Sequence, residues 1–421
     1  MSPAARALAA LLLAAPSLAG AASFDGTQRI DAYNGLVISF SRVTGLAGAY
    51  VGVAEGQDGA VFNPAATAHR ERNLDRDWDW DFVLNWLLPG TSLQREDLGN
   101  EGRVDPGLSS RDSIQAGLEL ELGRLGLGIL VRGWVLTAPG TAGDQLLLST
   151  QDVALSAGWS FLHDSLVVGA DIAAAAGTVG YQPAGAGLSK VGYGSTSHLR
   201  AGALWKPRGA SWRLGLLLDP GQTVGPKHPD DSLPGVAIPR AFAFPAIISV
   251  GGSLLLGRNA HLYNEPPPVE RRDHPELGPP RAFEPGGTEP VMVSAQLDLV
   301  GATPGAVSSR SFLHQQSEEA VPSGAHPSLE PHLGVEWTAI DRWLVVRGGT
   351  YVEPSRLGAS PRGHATLGAQ TRVPLASWLD LRLSFAADLA PRFANVSLGL
   401  GFWHDLTPRP PPAAPAADHG S

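Results

Sequence analysis

The sequence predicts an all-β protein, a transmembrane antiparallel β-barrel of about 14 strands. Three observations support this prediction: an N-terminal export signal, apolar and polar residues that alternate with a period of two in many segments, and connections that alternate between short and long. Period-two alternation indicates strands because successive side chains of a strand point to opposite faces.

Residues 1–21 have the pattern of a secretory signal peptide. Arg6 precedes an apolar run from Ala7 to Ala15, and Ala19-Gly20-Ala21 has the small-x-small arrangement that a signal peptidase needs. Cleavage there would make the net charge one unit more negative than −9, and an acidic chain argues against nucleic acid as a partner. Beyond the signal, no apolar run approaches the ~20 residues of a membrane-spanning helix.

Composition narrows the fold class further. The 421 residues contain no cysteine, which excludes disulfides, thiol catalysis and thiolate metal sites. Charged residues make up 17% of the chain, below the quarter that is typical of soluble domains, and glycine is abundant with 51 residues. The remaining choices are a soluble all-β protein and a barrel in an outer membrane.

The stretch Trp78 to Leu88 shows the alternation most clearly, because every even position is apolar and Asp79, Asp81 and Asn85 occupy odd positions. Segments of this kind predict strands near 78–88, 112–123, 125–136, 146–161, 165–177, 196–206, 211–219, 244–257, 290–301, 330–339, 342–352, 363–373, 378–388 and 393–404. Their even number suits a closed antiparallel barrel.

The connections support the barrel, since outer-membrane barrels pair short periplasmic turns with longer outer loops. Short turns are predicted at 123–125, 162–165, 207–211, 340–342 and 374–378, and longer outer loops at 89–111, 137–145, 178–195, 220–243, 302–329 and 353–362. The segment 258–289 is long where a short turn is due. It is rich in proline, and we interpret it as a disordered periplasmic insertion or as the sign of a missed hairpin; the tail 405–421 is also predicted to be disordered.

Alternation alone does not separate a soluble barrel from a membrane barrel, because it reports only that two faces differ. Three features favour the membrane. The polar faces carry charges of both signs that can pair in a lumen, tryptophans such as Trp78, Trp86 and Trp159 lie near strand ends, and eleven-residue strands tilted by ~45° span roughly 25 Å.

The region before the first strand does not alternate and is rich in glycine and alanine, which suits a segment folded into a confined space. The stretch SRVTGLAGAYVGVAEGQDGAVFNPAATA, residues 41–68, resembles the N-terminal hatch of the FadL family of outer-membrane channels. The resemblance rests on a set of small and turn-forming residues: Gly45, Gly48, Ala49, Ala54, Asn63, Pro64 and Ala65. It extends over the mature chain up to His404.

The resemblance implies a hatch over residues 22–74 that plugs a fourteen-stranded barrel over residues 75–404. It also implies passive transport of hydrophobic molecules, either long-chain fatty acids or aromatic hydrocarbons, with lateral release through a gap at a kinked third strand. The implied location is the bacterial outer membrane, with membrane lipids and the barrel-assembly machinery as further partners. PorV-type barrels share the hatch signature, so a scaffold or shuttle in protein secretion remains the alternative.

Two groups of site residues are predicted. Gly45, Gly48, Ala49, Asn63, Pro64 and Ala65 form a hatch or gate set, in which the Asn-Pro turn is either an anchor or a ligand contact. The second group lines a ligand pocket or packs the hatch against the wall: Phe24, Phe40, Val61 and Phe62.

We expect no enzyme activity, cofactor or metal. The aspartates from 75 to 81 alternate along a strand, ~7 Å apart, which is too far to share a proton, and a calcium site there is a minor alternative. The histidines lack ligand spacing in the sequence. Glycine runs such as that near Arg356 lack the ending of a phosphate loop, and no nucleophile elbow marks a catalytic triad.

Overall fold

The computed structural model describes residues 23–37, 39–69, 77–88, 97–102, 104, 110–140, 143–194, 197–282, 290–340, 343–376 and 379–402. The predicted signal peptide and C-terminal tail lie outside these residues. In the described part of the chain, no helix is long and apolar enough to cross a membrane.

The described residues form twenty strands and several short helices. The strands are β1 (Arg29–Asp31), β2 (Trp78–Leu88), β3 (Ser110–Leu122), β4 (Leu125–Pro139), β5 (Gln145–Phe161), β6 (Leu166–Gln182), β7 (Ser189–Gly194), β8 (His198–Trp205), β9 (Trp212–Asp219), β10 (Gln222–Pro226), β11 (Ala241–Phe244), β12 (Ile247–Leu256), β13 (Val291–Val300), β14 (Ala306–Val307), β15 (Pro322–Ser323), β16 (Ser328–Ile340), β17 (Leu344–Glu353), β18 (Arg362–Ala376), β19 (Leu379–Ala390) and β20 (Phe393–Phe402). The α-helices are α1 (Ser41–Gly45), α2 (Gly56–Gly59), α3 (Pro268–Asp273) and α4 (Ser309–Leu313), and 3₁₀ turns cover Gly35–Val37, Pro64–Ala68, Ala260–Leu262 and Pro275–Leu277.

Fourteen of the strands form a closed antiparallel barrel, which confirms the predicted fold class. The wall contains every strand except β1, β7, β10, β11, β14 and β15, and neighbours in the wall are antiparallel. Pairing of β2 with β20, from Val83 opposite Gly401 to Leu88 opposite Val396, closes the barrel. Closure matters because it leaves no unpaired strand edge in the membrane.

The two faces of the wall differ as predicted. Trp78, Trp80 and Trp86 point outward and are 41–49% exposed, whereas Asp81 and Glu119 point inward and are buried. The outward face carries leucine, isoleucine and valine on strand after strand, which matches the apolar band of a membrane barrel.

Two predicted outer loops are partly strand. Within 178–195, β6 continues to Gln182 and β7 covers Ser189–Gly194. Residues 137–145 were expected to form a longer loop, but β4 continues to Pro139 and β5 begins at Gln145, so the connection is short. The strands extend because consecutive apolar residues such as Leu146, Leu147 and Leu148 stay paired with β4. Alternation fails there although the strand does not end.

A second sheet covers the end of the barrel that has the longer connections, which is called the outer end below. β1 lies parallel to both β11 and β14, with Ile30 opposite Phe242 on one side and Val307 on the other. β10 connects this sheet to β7, and β15 pairs with β14. Strands of two to six residues are too short to show a periodic pattern, so the sequence did not predict them.

The prediction of disorder for 258–289 is wrong for the described residues 258–282. This part, called the insertion below, contains α3 and two 3₁₀ turns under the end of the barrel that has the tight turns. Asn264 Nδ2 donates to the carbonyls of Pro207, Ala210 and Trp212 at 2.9–3.1 Å. Proline supports this structure because it occupies the first position of helical turns, as Pro268 does in α3.

Candidate functional site

Within the predicted hatch, the structure describes residues 23–37 and 39–69, which are called the hatch below, and the helical parts of this segment contact the inward face of the wall. α1, α2 and the 3₁₀ turn Pro64–Ala68 are buried almost completely. Gly48 adopts a φ of 81°, a conformation that glycine reaches without strain, and Ala49 is 1% exposed. Small residues therefore let the chain fold tightly within the barrel.

Glycines of the wall face the hatch backbone directly. A Cβ added at Gly126 would overlap the carbonyl of Thr67, and one added at Gly215 would overlap the carbonyl of Val51. Gly45 of the hatch also lies close to the wall, because a Cβ added at Gly45 would be 3.1 Å from the Cα of Gly368. The high glycine content thus lets two backbones meet where a side chain would hold them apart.

Inward polar side chains of the wall bind the hatch backbone. Gln296 Oε1 accepts from the backbone N–H groups of Tyr50 and Val51 at 2.9 and 2.8 Å. Ser253 Oγ donates to the Gly52 carbonyl at 2.8 Å. These bonds supply partners for backbone groups that no regular secondary structure satisfies.

Asn63 holds the turn at the end of the hatch. It is completely buried, and its Nδ2 donates to the carbonyls of Val51 and Ala203, each at 3.0 Å. Its Oδ1 accepts from the N–H of Ala65 at 3.1 Å, and Pro64 begins the 3₁₀ turn. This geometry is that of an anchor between hatch and wall; a role in gating stays a prediction.

Buried ion pairs connect the hatch to the barrel. Arg42 lies 2.9 Å from Glu55 and 3.2 Å from Glu336, and Glu55 lies 2.6 Å from Arg213. Burial by itself would raise the pKa of Glu55, but the charges of Arg213 and Arg42 hold that pKa well below its usual range. Glu55 is therefore ionised at neutral pH.

His69, at the end of the described hatch, is buried near the same cations. Burial, reinforced by the charges of Lys206 and Arg213, holds its pKa well below the ordinary histidine value, so the imidazole is neutral at neutral pH. Its Nδ1 lies 2.7 Å from the carbonyl of Ala54 and therefore carries the proton.

The four predicted pocket residues lie in two places. Phe40 and Val61 are buried in an apolar cluster beside the hatch, and Phe62 packs against it half-buried. Phe24 lies in a separate cluster at the outer end, with its ring 5.9 Å from that of Phe312. The structure therefore does not bring the four into one pocket.

Two cavities lie at the outer end of the lumen, on either side of the hatch segment Tyr33–Gly35. The larger contains about 840 Å³ of empty space and the smaller about 710 Å³, and both figures include the open mouth of the cavity. Apolar groups in the larger cavity are Leu98, Trp134, Leu136, Leu313 and Leu357, and its charged groups are Asp31, Glu101, Glu353, Arg310 and Arg356.

Part of the apolar lining of the larger cavity comes from residues that the sequence placed in strands but did not assign to a pocket. Trp134 and Leu136 are buried inside the barrel, and Leu146 and Leu148 face inward from the next strand. Their signal was available as runs in which alternation gives way to consecutive apolar residues, because both faces of such a strand end are apolar.

The smaller cavity is lined by paired charges. Arg132 Nη2 lies 2.9 Å from Asp152, and His198 Nε2 lies 3.2 Å from Asp219. Tyr33, which borders both cavities, donates from its hydroxyl to Glu330 at 2.6 Å. A different group, His163, His274 and Glu276, lies at the opposite end of the barrel and brings together residue types that bind metals.

The third wall strand shows no gap. β4 pairs with β3 from Leu125 to Thr137 and with β5 from Leu125 to Pro139 without a register shift. Gly126 and Gly128 of this strand face Thr67 of the hatch, so they provide space for the hatch rather than a kink.

Among solved structures, a Pseudomonas aeruginosa FadL homologue matches 88% of this chain and 99% of its own length, with a TM-score of 0.50 and 13% identity. The chain has the FadL-type fold. The CymD monoaromatic hydrocarbon channel (TM-score 0.48, 12% identity, 89% of this chain and 100% of its own) and the Ralstonia pickettii toluene transporter TbuX (0.47, 13%, 87% and 98%) are also similar. No family model and no curated protein sequence matches the chain.

Proposed function

We propose that this protein lets hydrophobic small molecules diffuse passively across the outer membrane. The observation that carries the proposal is the larger outer cavity, which lies inside a FadL-type barrel and has Trp134, Leu136 and Leu313 on its apolar side.

The charges around this cavity favour a neutral ligand over an anionic one. Its lining contains three acids, Asp31, Glu101 and Glu353, against the two bases Arg310 and Arg356. Asp31 accepts from Arg356 at 2.8 Å, and Arg310 binds Glu318 at 2.6 Å, so neither base is left for a carboxylate ligand. Of the two substrate classes, aromatic hydrocarbons therefore fit this lining better than ionised fatty acids.

Passage beyond the cavity requires movement, because the hatch and its ion pairs fill the inner half of the lumen. Lateral release at the third strand would require breaking the continuous pairing of β4 with a neighbour. The alternative is a displacement of the hatch toward the periplasm. Either movement is consistent with a protein that is closed at rest and that a bound ligand shifts toward an open conformation.

Uptake of labelled toluene and oleate by cells that depend on this protein tests the proposal. Trp134→Ala removes apolar lining from the cavity, and we expect roughly tenfold slower toluene uptake, consistent with losing ~1.5–3 kcal/mol of apolar burial. Trp159→Ala is the matched control, since Trp159 faces outward and is 45% exposed. Equal uptake by both variants and by cells without the protein would contradict the proposal.

A PorV-like scaffold is the second candidate, and a specific observation favours it. The insertion forms an ordered layer on the periplasmic side, and Glu270 in it is buried against Arg124 of the barrel at 2.9 Å. A secretion role predicts that removing residues 265–280 leaves toluene uptake unchanged but reduces the amount of surface-attached proteins. Normal surface proteins in that variant would argue against the scaffold.

A further inference from the structure

The periplasmic end of the barrel brings together residue types that bind metal ions. His163 lies in the β5–β6 turn, and His274 and Glu276 follow α3 in the insertion. One ligand atom from each of the three lies within 4.8 Å of the others, and the two imidazole rings are 4.4 Å apart at 72°. Sequence spacing could not indicate this group, because its members come from distant segments.

The barrel side of this group is held in place. Asp164, next to His163, accepts from Ser160 Oγ at 2.9 Å and lies 2.5 Å from Lys206 Nζ. His163 Nδ1 is buried and makes no hydrogen bond to any other residue that the structure describes; Glu270 Oε1 is 3.9 Å away. A buried ring nitrogen without a partner is costly unless something binds it.

The insertion side is equally ordered. The backbone N–H of His274 donates to the Glu270 carbonyl at 2.9 Å, and His274 Nδ1 lies 2.9 Å from Glu276 Oε1. Arg124 contacts both the Glu270 carboxylate and His274 Nε2. Because arginine only donates, Nε2 accepts and Nδ1 carries the ring proton when no metal is bound. A metal at Nδ1 requires this proton to move to Nε2, and Arg124 then keeps Glu270 as its partner. This leaves His163, the Nδ1 of His274 and the Glu276 carboxylate as the donors.

We propose that these three residues bind a divalent transition metal, with zinc as the best fit, and that the metal fastens the insertion to the barrel. Two imidazoles, one carboxylate and a water form a donor set that zinc accepts, whereas calcium and magnesium prefer oxygen alone. Zinc needs ligands closer together than 4.8 Å. His163 and Glu276 are 42% and 62% exposed, which leaves their side chains free to close around the ion.

Metal binding to the insertion would also affect the hatch, because one arginine contacts both. Asn264 Oδ1 and the Tyr263 carbonyl of the insertion each accept from Arg213 at 2.9 Å, and Arg213 in turn pairs with Glu55 of the hatch. A metal that orders the insertion therefore supports the position of Arg213. This inference does not depend on the transported molecule.

Calorimetric titration of the full chain in detergent, with zinc, tests the site. We expect one site whose affinity falls at least tenfold in His163→Ala and in His274→Ala, since each removes one of three ligands. His228→Ala, an exposed histidine of an outer loop, should bind zinc like the original protein. Unchanged affinity in both ligand variants, or calcium binding as tight as zinc, would overturn the proposal.

Trypsin cleavage provides a structural readout. Arg272 of the insertion is 54% exposed, and zinc should slow cleavage there several-fold in the original protein, with reversal by a chelator. The effect should vanish in Glu276→Gln, which changes an exposed side chain and is expected to leave the barrel folded. Equal zinc protection in Glu276→Gln and in the original protein would show that the metal binds elsewhere.

Discussion

The two halves of the lumen are built differently. In the inner half, the hatch lies directly on wall glycines, and its backbone and charges are bound by wall side chains such as Gln296 and Arg213. In the outer half, strand ends with apolar inner faces and a short-stranded sheet surround two cavities. The inner half is filled by close contact and buried pairs, whereas the outer half leaves space.

The inner half of the lumen holds the hatch in one position, and the outer half has space for a ligand. Buried ion pairs and backbone-to-backbone contact have demanding geometry, so they fix one position of the hatch. Apolar surfaces are non-directional and accept molecules of different shape. The comparison predicts that inner-half substitutions change closure and that outer-half substitutions such as Trp134→Ala change uptake.

The largest effect is expected from Gly126→Val. Its side chain would occupy the position of the Thr67 carbonyl, so the hatch cannot seat as it does now. We expect a large increase in single-channel conductance in planar bilayers. Gly363→Val is the control, because a Cβ at Gly363 would meet no atom of the described residues within 4 Å; equally low conductance in both variants would contradict the seating role.

A smaller effect is expected from Glu55→Gln. This substitution removes the hatch carboxylate that both Arg42 and Arg213 contact. Breaking a buried pair costs about 3–5 kcal/mol, so conductance should rise and the hatch should become sensitive to protease.

Low pH should weaken the same ion pairs in the original protein. The pKa of Glu55 is depressed in the folded state, so its stabilisation is present above pH 4.5 and is lost as the pH falls below that value toward the folded pKa. Conductance measured from pH 7 to pH 3 should therefore rise in the original protein but change less in Glu55→Gln. Parallel pH profiles would contradict the assignment.

The smallest effect is expected from Asn63→Ala. It removes the hydrogen bonds to Val51 and Ala203 and leaves buried carbonyls unpaired, at a cost of about 1–3 kcal/mol. If Asn63 is an anchor, the protease resistance of the hatch falls while the affinity for toluene, measured by calorimetry, stays the same. A loss of affinity with unchanged protease resistance would indicate a ligand contact.

Much of the wall was predictable because one face of every strand meets lipid. That constraint imposes alternation, so all fourteen wall strands were predicted, and the outward direction of Trp78, Trp80 and Trp86 was as well. The hatch sequence was recognisable by its small residues and by Asn63-Pro64-Ala65.

The cavities were not predictable in the same way. Phe24 was grouped with Phe40, Val61 and Phe62 on the basis of residue type, and the structure places it in a different cluster. Residues 137–139 at the end of β4 and Gln145 at the start of β5 were interpreted as loop because alternation stops there. The insertion was interpreted as disordered because composition does not show which proline begins a helical turn.

The sequence by itself determined the barrel, since alternation with a period of two is a local property that the lipid imposes on each strand separately. Only the tertiary structure decided which contacts hold the hatch in the lumen. Which glycine meets which carbonyl, which arginine reaches Glu55 and which histidines come together depends on closure of the barrel, and closure places residues beside each other that are far apart in the chain.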